Sequence, residues 1–280
     1  MIGISILVVL LIVLIICWKI PFSLQKSGFI AKMEERIGNT EIAEGVCTRE
    51  EINNLPDALI RFCDYIGLEG TQKHNSVRCI FKDTDFVFDA SKGVKLKMDY
   101  DLWLFAEEWY RSAYCTSSMY GIPFEGQDYV SDNKIAGMKV YLGKCIKIFE
   151  TADEESYRAG LISWMIEGAI LNPSFLLSDY IEYEEIDSNH VKATITYNKV
   201  SGSGIFTISD EGAITKFYSH ERQIEMINGE KVSIGWRCEA EDYIEKNGIL
   251  MPTTIRSIKV FPDKEVIYFD ADEYEVTYIN

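Results

Sequence analysis

Residues 231–279 read KVSIGWRCEAEDYIEKNGILMPTTIRSIKVFPDKEVIYFDADEYEVTYI, which is three runs rich in strand-forming residues separated by two short turns. Val, Ile, Thr, Tyr and Phe favour strands, and Asn-Gly and Pro-Asp favour turns between them. Links this short join antiparallel neighbours, because a parallel crossover needs about a dozen residues or more. The segment therefore predicts an antiparallel meander. The runs are Lys231–Tyr243, Ile249–Val260 and Glu265–Ile279, and the turns are Lys246-Asn247-Gly248 and Pro262-Asp263-Lys264.

The same pattern continues upstream of this segment. Between residues 94 and 102, apolar side chains at even positions alternate with charged side chains at odd positions, as in a half-buried strand. The other strand candidates are Val77–Phe88, Val94–Leu104, Tyr114–Tyr120, Gln127–Ser131, Ala136–Tyr141, Cys145–Phe149, Ile181–Ile186, Val191–Tyr197, Ile205–Ser209 and Ile214–His220. The turns predicted between the later ones are Asp187-Ser188-Asn189, Ser201-Gly202-Ser203-Gly204 and Asp210-Glu211-Gly212.

Helical patterns are confined to a few segments. Thr48 and Glu51 have the spacing of a capping box, and a second box, made by Thr151 and Glu154, opens a predicted helix over 151–171. Residues 27–45 are amphipathic with the helical period. Few helices among many strands predict an α+β fold: a large curved antiparallel β-sheet with a few helices packed on one face, preceded by an N-terminal transmembrane helix.

The first eighteen residues contain no charged side chain. A helix of this length reaches the lower limit for crossing the apolar core of a bilayer. The run ends in Ile15-Ile16-Cys17-Trp18, without the small residues of a cleavage site, so an uncleaved anchor is favoured over a cleaved signal or a lipoprotein box. We expect a transmembrane anchor at 1–20, a juxtamembrane linker or helix at 21–47, and a single α+β domain at 48–280.

The composition excludes several functions. The net charge is −16, and residues 28–280 carry 26 basic against 44 acidic side chains, so nucleic acid is excluded as a partner. The three histidines show no metal-ligand spacing, and the sequence contains no Walker A, G-x-G-x-x-G or G-x-S-x-G motif. We therefore expect no metal ion and no cofactor, and a role other than catalysis is favoured.

One carboxylate has an unusual position. Glu167 lies in the predicted helix 151–171 beside its apolar face. A buried carboxylate needs a hydrogen-bonding or charged partner, so Glu167 is expected to pair with an arginine or to contact a ligand or a proton. A carboxylate-based hydrolase would need a second acid close to Glu167, and Asp128 and Asp132 are the candidates.

Four groups of residues occur in a recognisable order between Leu55 and Asn280. They are Leu55-Pro56 with Arg61, Tyr65 and Gly67; Leu161-Ile162-Ser163-Trp164-Met165-Ile166-Glu167 leading to Pro173; Tyr183-Glu184-Glu185-Ile186-Asp187; and Arg222 with Trp236, Tyr243, Gly248 and Pro252. In this order and spacing they resemble an uncharacterised bacterial family, often membrane-anchored, that is a domain of unknown function. The sequence departs from the family with Ser163 in place of an arginine and Tyr183 in place of a tryptophan.

The resemblance implies a fold similar to the half-barrel of bacterial lipoprotein carriers, in which helices close the concave face of a curved sheet. On that likeness the sixteen Tyr, fourteen Phe and five Trp side chains either line an apolar cavity for acyl chains or fill an ordinary core. The likeness also implies a set of candidate ligand-binding residues, with Arg222 as the partner of Glu167. The candidates are Trp164, Glu167, Arg222, Trp236 and Tyr243.

Three functions follow from these observations. The favoured one is a membrane-tethered binding module for a hydrophobic ligand, either a lipid or an acylated molecule. The second is a structural or assembly protein of the cell envelope that binds a protein partner. The third is the carboxylate-based hydrolase.

The expected location is the membrane, with a single pass, and the indications for the side of the domain conflict. Lys19, Lys26, Lys32 and Arg36 all follow the apolar run, and the seven cysteines are scattered, which favours the cytoplasm. The likeness to lipoprotein carriers favours the extracytoplasmic side.

Overall fold

The computed structural model describes residues 2–20, 22–89, 94–106, 109–131, 135–225 and 231–279. Within these ranges the chain forms five α-helices, one 3-10 helix and fourteen β-strands. The helices are α1 (Ile2–Lys19), α2 (Leu24–Asn39), α3 (Arg49–Ile52), α4 (Asp57–Ile66) and α5 (Glu154–Leu171), and the 3-10 helix is Pro173–Leu177. The strands are β1 (Ser76–Asp89), β2 (Val94–Phe105), β3 (Tyr110–Met119), β4 (Ile122–Ser131), β5 (Ile135–Leu142), β6 (Ile146–Glu150), β7 (Ile181–Asp187), β8 (His190–Tyr197), β9 (Val200–Ile208), β10 (Ile214–Glu225), β11 (Lys231–Lys246), β12 (Ile249–Val260), β13 (Glu265–Ala271) and β14 (Tyr274–Ile279).

The described strands form one antiparallel sheet. Their order is β6-β5-β4-β3-β2-β1-β13-β12-β11-β10-β9-β8-β7, and β14 pairs with β1. Neighbours in the chain are neighbours in the sheet in both halves, as the short turns predict. The antiparallel α+β fold predicted from the sequence is confirmed.

The sheet is strongly curved. Helix α5 contacts β5 and β8, which lie ten positions apart in the strand order. Ten flat inter-strand spacings would cover roughly 48 Å, whereas an 18-residue helix is only about 27 Å long. The two halves of the sheet therefore bend around α5, and the face that carries α5 is concave.

The space beneath α5 is filled with side chains. Eleven residues of α5 are buried. The ring of Trp164 stacks on Phe175 at 4.5 Å between centroids and contacts Trp109 at 3.9 Å, and its indole N–H donates to the carbonyl of Phe105. Helix α4 adds Phe62 and Ile66 to the same core. These aromatic side chains therefore fill the core and do not line a cavity.

The convex face carries α2. Phe29 and Met33 are buried against a group of large side chains from β2 and β3, namely Trp103, Phe105, Tyr110 and Tyr114. Ser23 caps α2 and donates a 2.6 Å hydrogen bond to the buried carboxylate of Glu125 on β4. The segment predicted to be a juxtamembrane linker or helix therefore packs on the sheet through α2.

The N-terminal apolar run forms the 18-residue helix α1. Among the described residues, no helix combines the length and the apolar character that a membrane span requires. The predicted transmembrane helix is therefore not confirmed.

Two local predictions were wrong. Helix α5 begins at Glu154 with Asp153 as its N-cap, because the side chain of Asp153 accepts a hydrogen bond from the backbone of Ser156. The predicted turn at 201–204 lies inside β9. Its glycines serve close packing instead, since a Cβ atom at Gly202 would stand 2.7 Å from Ile162 of α5.

Two glycines give opposite expectations for stability. A Cβ atom at Gly137 of β5 would lie 1.7 Å from the carbonyl oxygen of Thr151, whereas nothing lies within 4 Å of a Cβ atom at Gly160 in α5. We expect Gly137→Ala to lower the free energy of unfolding by about 1–3 kcal/mol. Gly160→Ala should raise it by about 0.5–1 kcal/mol, since alanine is the better helix former. Urea-unfolding midpoints test both, and an unchanged midpoint for Gly137→Ala would contradict this close approach.

Candidate functional site

The concave face carries a buried ionic network centred on Arg111 of β3. Its Nε lies 2.6 Å from Oε2 of Glu167 and its Nη2 lies 2.8 Å from Oε1, so the pair is bidentate. Nη1 lies 3.3 Å from Oδ2 of Asp128, and Nη2 donates to the Tyr100 hydroxyl at 2.9 Å. The network connects α5 to strands β2, β3 and β4.

The network accounts for Glu167. The sequence predicts that Glu167 either pairs with an arginine or contacts a ligand or a proton. Glu167 pairs with an arginine, but that arginine is Arg111 and not Arg222. Burial works against the charge of Arg111, and the carboxylate of Glu167 opposes this effect strongly enough to hold the pKa of Arg111 well above its usual value. The two charges therefore stabilise each other inside the fold.

The carboxylates proposed for a hydrolase meet at the same guanidinium. Glu167 and Asp128 both contact Arg111, whereas Asp132 lies outside the described residues. Both oxygens of Glu167 accept hydrogen bonds from Arg111, which is the arrangement of a charge-balancing pair. Within the described ranges, no group of three or more His, Cys, Asp or Glu side chains is placed to hold a metal ion.

Arg222 of β10 reaches the concave face because its strand bulges. Ser219 pairs with Trp236 and Arg222 pairs with Ile234, so two residues that lie three apart face the same side. Nη2 of Arg222 donates to the carbonyl of Ala159 and to the hydroxyl of Ser163, both on α5. The guanidinium lies 3.8 Å from the centre of the Trp236 ring.

One donor of Arg222 has no partner among the described residues. Its Nε is buried and makes no hydrogen bond within the described part of the chain. Burial lowers the pKa of Arg222, and the charges of Arg111, Glu167 and Asp128 all act on it. The bulged arginine therefore belongs to the same electrostatic neighbourhood as the Arg111 network.

A second cation lies next to Arg222. Lys259 of β12 is directly opposite Trp236 in the strand register, and its Nζ lies 4.8 Å from the centre of the Tyr268 ring. The Tyr268 hydroxyl accepts a 3.0 Å hydrogen bond from the Trp236 indole. Burial, and then the charge of Arg222, lower the pKa of Lys259. Two cations and two aromatic rings thus form one cluster.

Half-buried apolar side chains extend this cluster across the central strands. We call the surface formed by Phe86, Leu96, Tyr100, Tyr268 and Phe269 the concave groove. Phe86 pairs with Phe269 and with Leu96, so all three point to one side of the sheet. Phe269 packs edge-on against Tyr100 at 5.5 Å, and Tyr100 also bonds Arg111. The groove therefore runs between the Arg111 network and the Arg222–Lys259 pair.

The candidate residues separate into two groups. Glu167, Arg222 and Trp236 lie around the concave groove, whereas Trp164 is enclosed in the core. The Tyr243 hydroxyl donates to the carbonyl of Ile214 and its ring packs against Tyr65 of α4, away from the groove. Burial raises the pKa of Tyr243 well above its usual value.

Sequence reasoning missed Arg111, Lys259 and Tyr268. The alternation of β2 could have identified Tyr100 as a concave residue, since it lies in phase with Leu102 and Leu104. Lys259 could not be found in this way, because its position opposite Trp236 depends on the register of β11 and β12.

Two depressions lie outside the groove. One, of about 340 Å³, runs along α2 from Phe22 to Glu34. The other, of about 430 Å³, lies between residues 41–44 and the 3-10 helix and includes His74 and Ala106. Neither contains a residue of the Arg111 network or of the Arg222–Lys259 pair.

Known proteins offer only distant likenesses in structure. A DUF1329 family protein from Desulfovibrio piger is 11% identical over 84% of this chain and 94% of that one, with a TM-score of 0.39. A putative outer membrane lipoprotein-sorting protein domain from Vibrio parahaemolyticus is 8% identical over 72% and 84%, with a TM-score of 0.35. A LolA superfamily protein from Nitrosomonas europaea is 9% identical over 84% and 95%, also at 0.35. Likenesses this distant carry no argument about function, and no curated protein matches the chain.

A protein family does match in sequence. The family of unknown function DUF6544 covers residues 45–271, which extend from just before α3 to the end of β13. The match includes the whole concave groove and both of its charged ends. The resemblance to an uncharacterised family is confirmed, and the chain belongs to the DUF6544 family of unknown function.

Proposed function

We propose that this protein is a binding module for a hydrophobic ligand, a lipid or an acylated molecule, and that the concave groove is its binding site. The observation that carries the proposal is the row of half-buried aromatic and aliphatic side chains at Phe86, Leu96, Tyr100, Tyr268 and Phe269. Elsewhere on the concave face, α4 and α5 cover the apolar side chains of the sheet. An apolar chain laid on this row would remove the remaining apolar surface from water.

We further propose that α1 attaches the protein to a lipid surface. Most of the described side chains of this helix are apolar and exposed, with Ile4 70% and Leu7 57% accessible. The end of α1 lies beside the turn between β5 and β6, since a Cβ atom at Gly143 would stand 3.2 Å from the Trp18 indole nitrogen and Lys144 donates a 2.6 Å hydrogen bond to the carbonyl of Ile20. Such a helix holds the concave groove close to the membrane from which a lipid would come.

The assembly function is the second candidate, and one feature of the sheet favours it. β6 is an edge strand whose five residues are all exposed, and Ile146, Ile148 and Phe149 make it apolar. An exposed apolar edge can pair with a strand from another chain. This surface is separate from the concave groove, so the two functions can be tested by different substitutions.

The test is photo-crosslinking with a neutral probe, a diazirine analogue of dodecanol, on the full chain held in amphipol. We expect cross-linked peptides from β1, β2 and β13, since these strands carry the groove. Phe86→Glu places a carboxylate in the groove and should reduce cross-linking at least about fivefold. An apolar chain that covers this carboxylate would have to remove its hydrating water, which is unfavourable. Phe149→Glu, on the edge strand β6, is the matched control and should leave cross-linking unchanged.

Two results would count against this proposal. Cross-links spread evenly over the sheet, or confined to α1, would mean that the concave groove is not a binding site. If Phe149→Glu reduced cross-linking and Phe86→Glu did not, the edge of the sheet would be the apolar contact surface, as the assembly function requires.

A further inference from the structure

Arg222 and Lys259 differ from most arginines of the sheet, which are paired with a carboxylate. The chain contains 44 acidic residues, and most arginines of the described strands lie against one of them. Arg78 pairs with Asp101 at 2.7 Å, Arg237 with Glu265 at 2.6 Å and Arg256 with Asp270 at 3.0 Å. Within the described ranges, neither Arg222 nor Lys259 forms a salt bridge with any carboxylate, although both side chains are half-buried.

The contacts that hold Arg222 in place do not involve its Nε donor. The contacts with Ala159, Ser163 and Trp236 fix its guanidinium beside α5. Its buried Nε has no acceptor among the described residues. A buried donor without an acceptor is unfavourable, so an oxygen atom that enters this position gains a charge-assisted hydrogen bond.

Among the described residues, Lys259 has no hydrogen-bond acceptor. Its ammonium group lies over the Tyr268 ring and makes no hydrogen bond or ion pair within the described chain. Arg222, whose charge acts on Lys259, has the same sign. An anion placed between the two cations would therefore remove a repulsion and form two attractive contacts.

The balance of charge on the concave face indicates the charge of that anion. Within the described part of the chain, the charged groups at the two ends of the groove are three cations, Arg111, Arg222 and Lys259, and two carboxylates, Glu167 and Asp128. One positive charge is in excess. This excess matches a ligand head group with a single negative charge. A carboxylate carries one negative charge at neutral pH, whereas a phosphate monoester carries more than one.

We propose that Arg222 and Lys259 form the head-group subsite of the concave groove and that its ligand is a long-chain carboxylate. The carboxylate lies between Nε of Arg222 and Nζ of Lys259, and the hydrocarbon chain follows the aromatic row toward Phe86 and Phe269. This inference rests on the proposed function, because it names the head group of the ligand that the groove would bind. It adds that the apolar groove is selective for charge.

The experiment is displacement of the diazirine–dodecanol probe from the full chain by three competitors with the same chain length: dodecanoate, dodecanol and dodecyl phosphate. We expect dodecanoate to compete about 10-fold more strongly than dodecanol, which is the effect of one to two charge-assisted hydrogen bonds. Arg222→Met and Lys259→Met should each remove this advantage and leave competition by dodecanol unchanged. Lys216→Met, exposed on the same strand as Arg222, is the control and should keep the advantage.

Lys259→Met also covers the case in which Arg222→Met fails to fold, since Lys259 makes no hydrogen bond with the described residues that its loss could break. Equal competition by dodecanoate and dodecanol would overturn the head-group subsite and leave the proposed function standing. Stronger competition by dodecyl phosphate than by dodecanoate would overturn the carboxylate assignment. Failure of the probe itself to label the groove would overturn the proposed function and this inference with it.

Discussion

Replacement of Arg111 by methionine is expected to lower the free energy of unfolding by about 3–5 kcal/mol, because it leaves the carboxylate of Glu167 buried without its partner. Both hydrogen bonds of the bidentate pair are lost, and so are the contacts of Arg111 with Asp128 and Tyr100. The loss affects α5 and three strands at once. Urea denaturation followed by far-UV circular dichroism measures the change.

The matched control is Arg49→Met. Arg49 forms an ion pair with Asp64, but both side chains are about half exposed, so its loss should change stability by about 0–1 kcal/mol. The double variant Arg111→Met with Glu167→Leu should recover part of the loss, since the unpaired charge is gone. An Arg111→Met variant as stable as Arg49→Met would contradict the burial of this network.

Much of the sheet could be predicted from local sequence. The alternation between residues 94 and 102 and the short turns after Lys246 and Val260 define β2 and the β11–β13 meander, because strand period and turn chemistry are local properties. The capping box at Thr48 and Glu51 is confirmed for the same reason. The predicted turn at 201–204 failed because its glycines are required by packing against Ile162 and Phe217, which lie elsewhere in the chain.

The candidate site could be predicted only in part. The position of Glu167 beside an apolar helix face indicates that it needs a partner, but Arg111 lies 56 residues away and meets it only through the curvature of the sheet. Arg222 faces inward because of a bulge, and no local pattern marks that bulge. Lys259 reads as an ordinary exposed strand residue until the register places it opposite Trp236.

Replacement of Trp164 by alanine is expected to lower the free energy of unfolding by about 3–5 kcal/mol, because it opens a cavity in the centre of the core. The ring is fully buried, contacts Trp109 and Phe175, and donates a 3.0 Å hydrogen bond to the carbonyl of Phe105. Trp164→Phe keeps most of the packing and loses the hydrogen bond, so the expected loss is about 1–3 kcal/mol. Chemical denaturation followed by far-UV circular dichroism gives both values.

Trp236 provides the contrast that separates a core tryptophan from one at the ligand site. Trp236 carries Arg222 on its ring and donates to Tyr268, so Trp236→Phe should weaken binding of dodecanoate through both cations. Trp164→Phe should leave the affinity for dodecanoate unchanged, because its ring faces Trp109 and Phe175 and not the groove. Equal losses of affinity in the two variants would mean that Trp164 also contacts the ligand. The ligand would then have to reach beneath α5, where the core is closed.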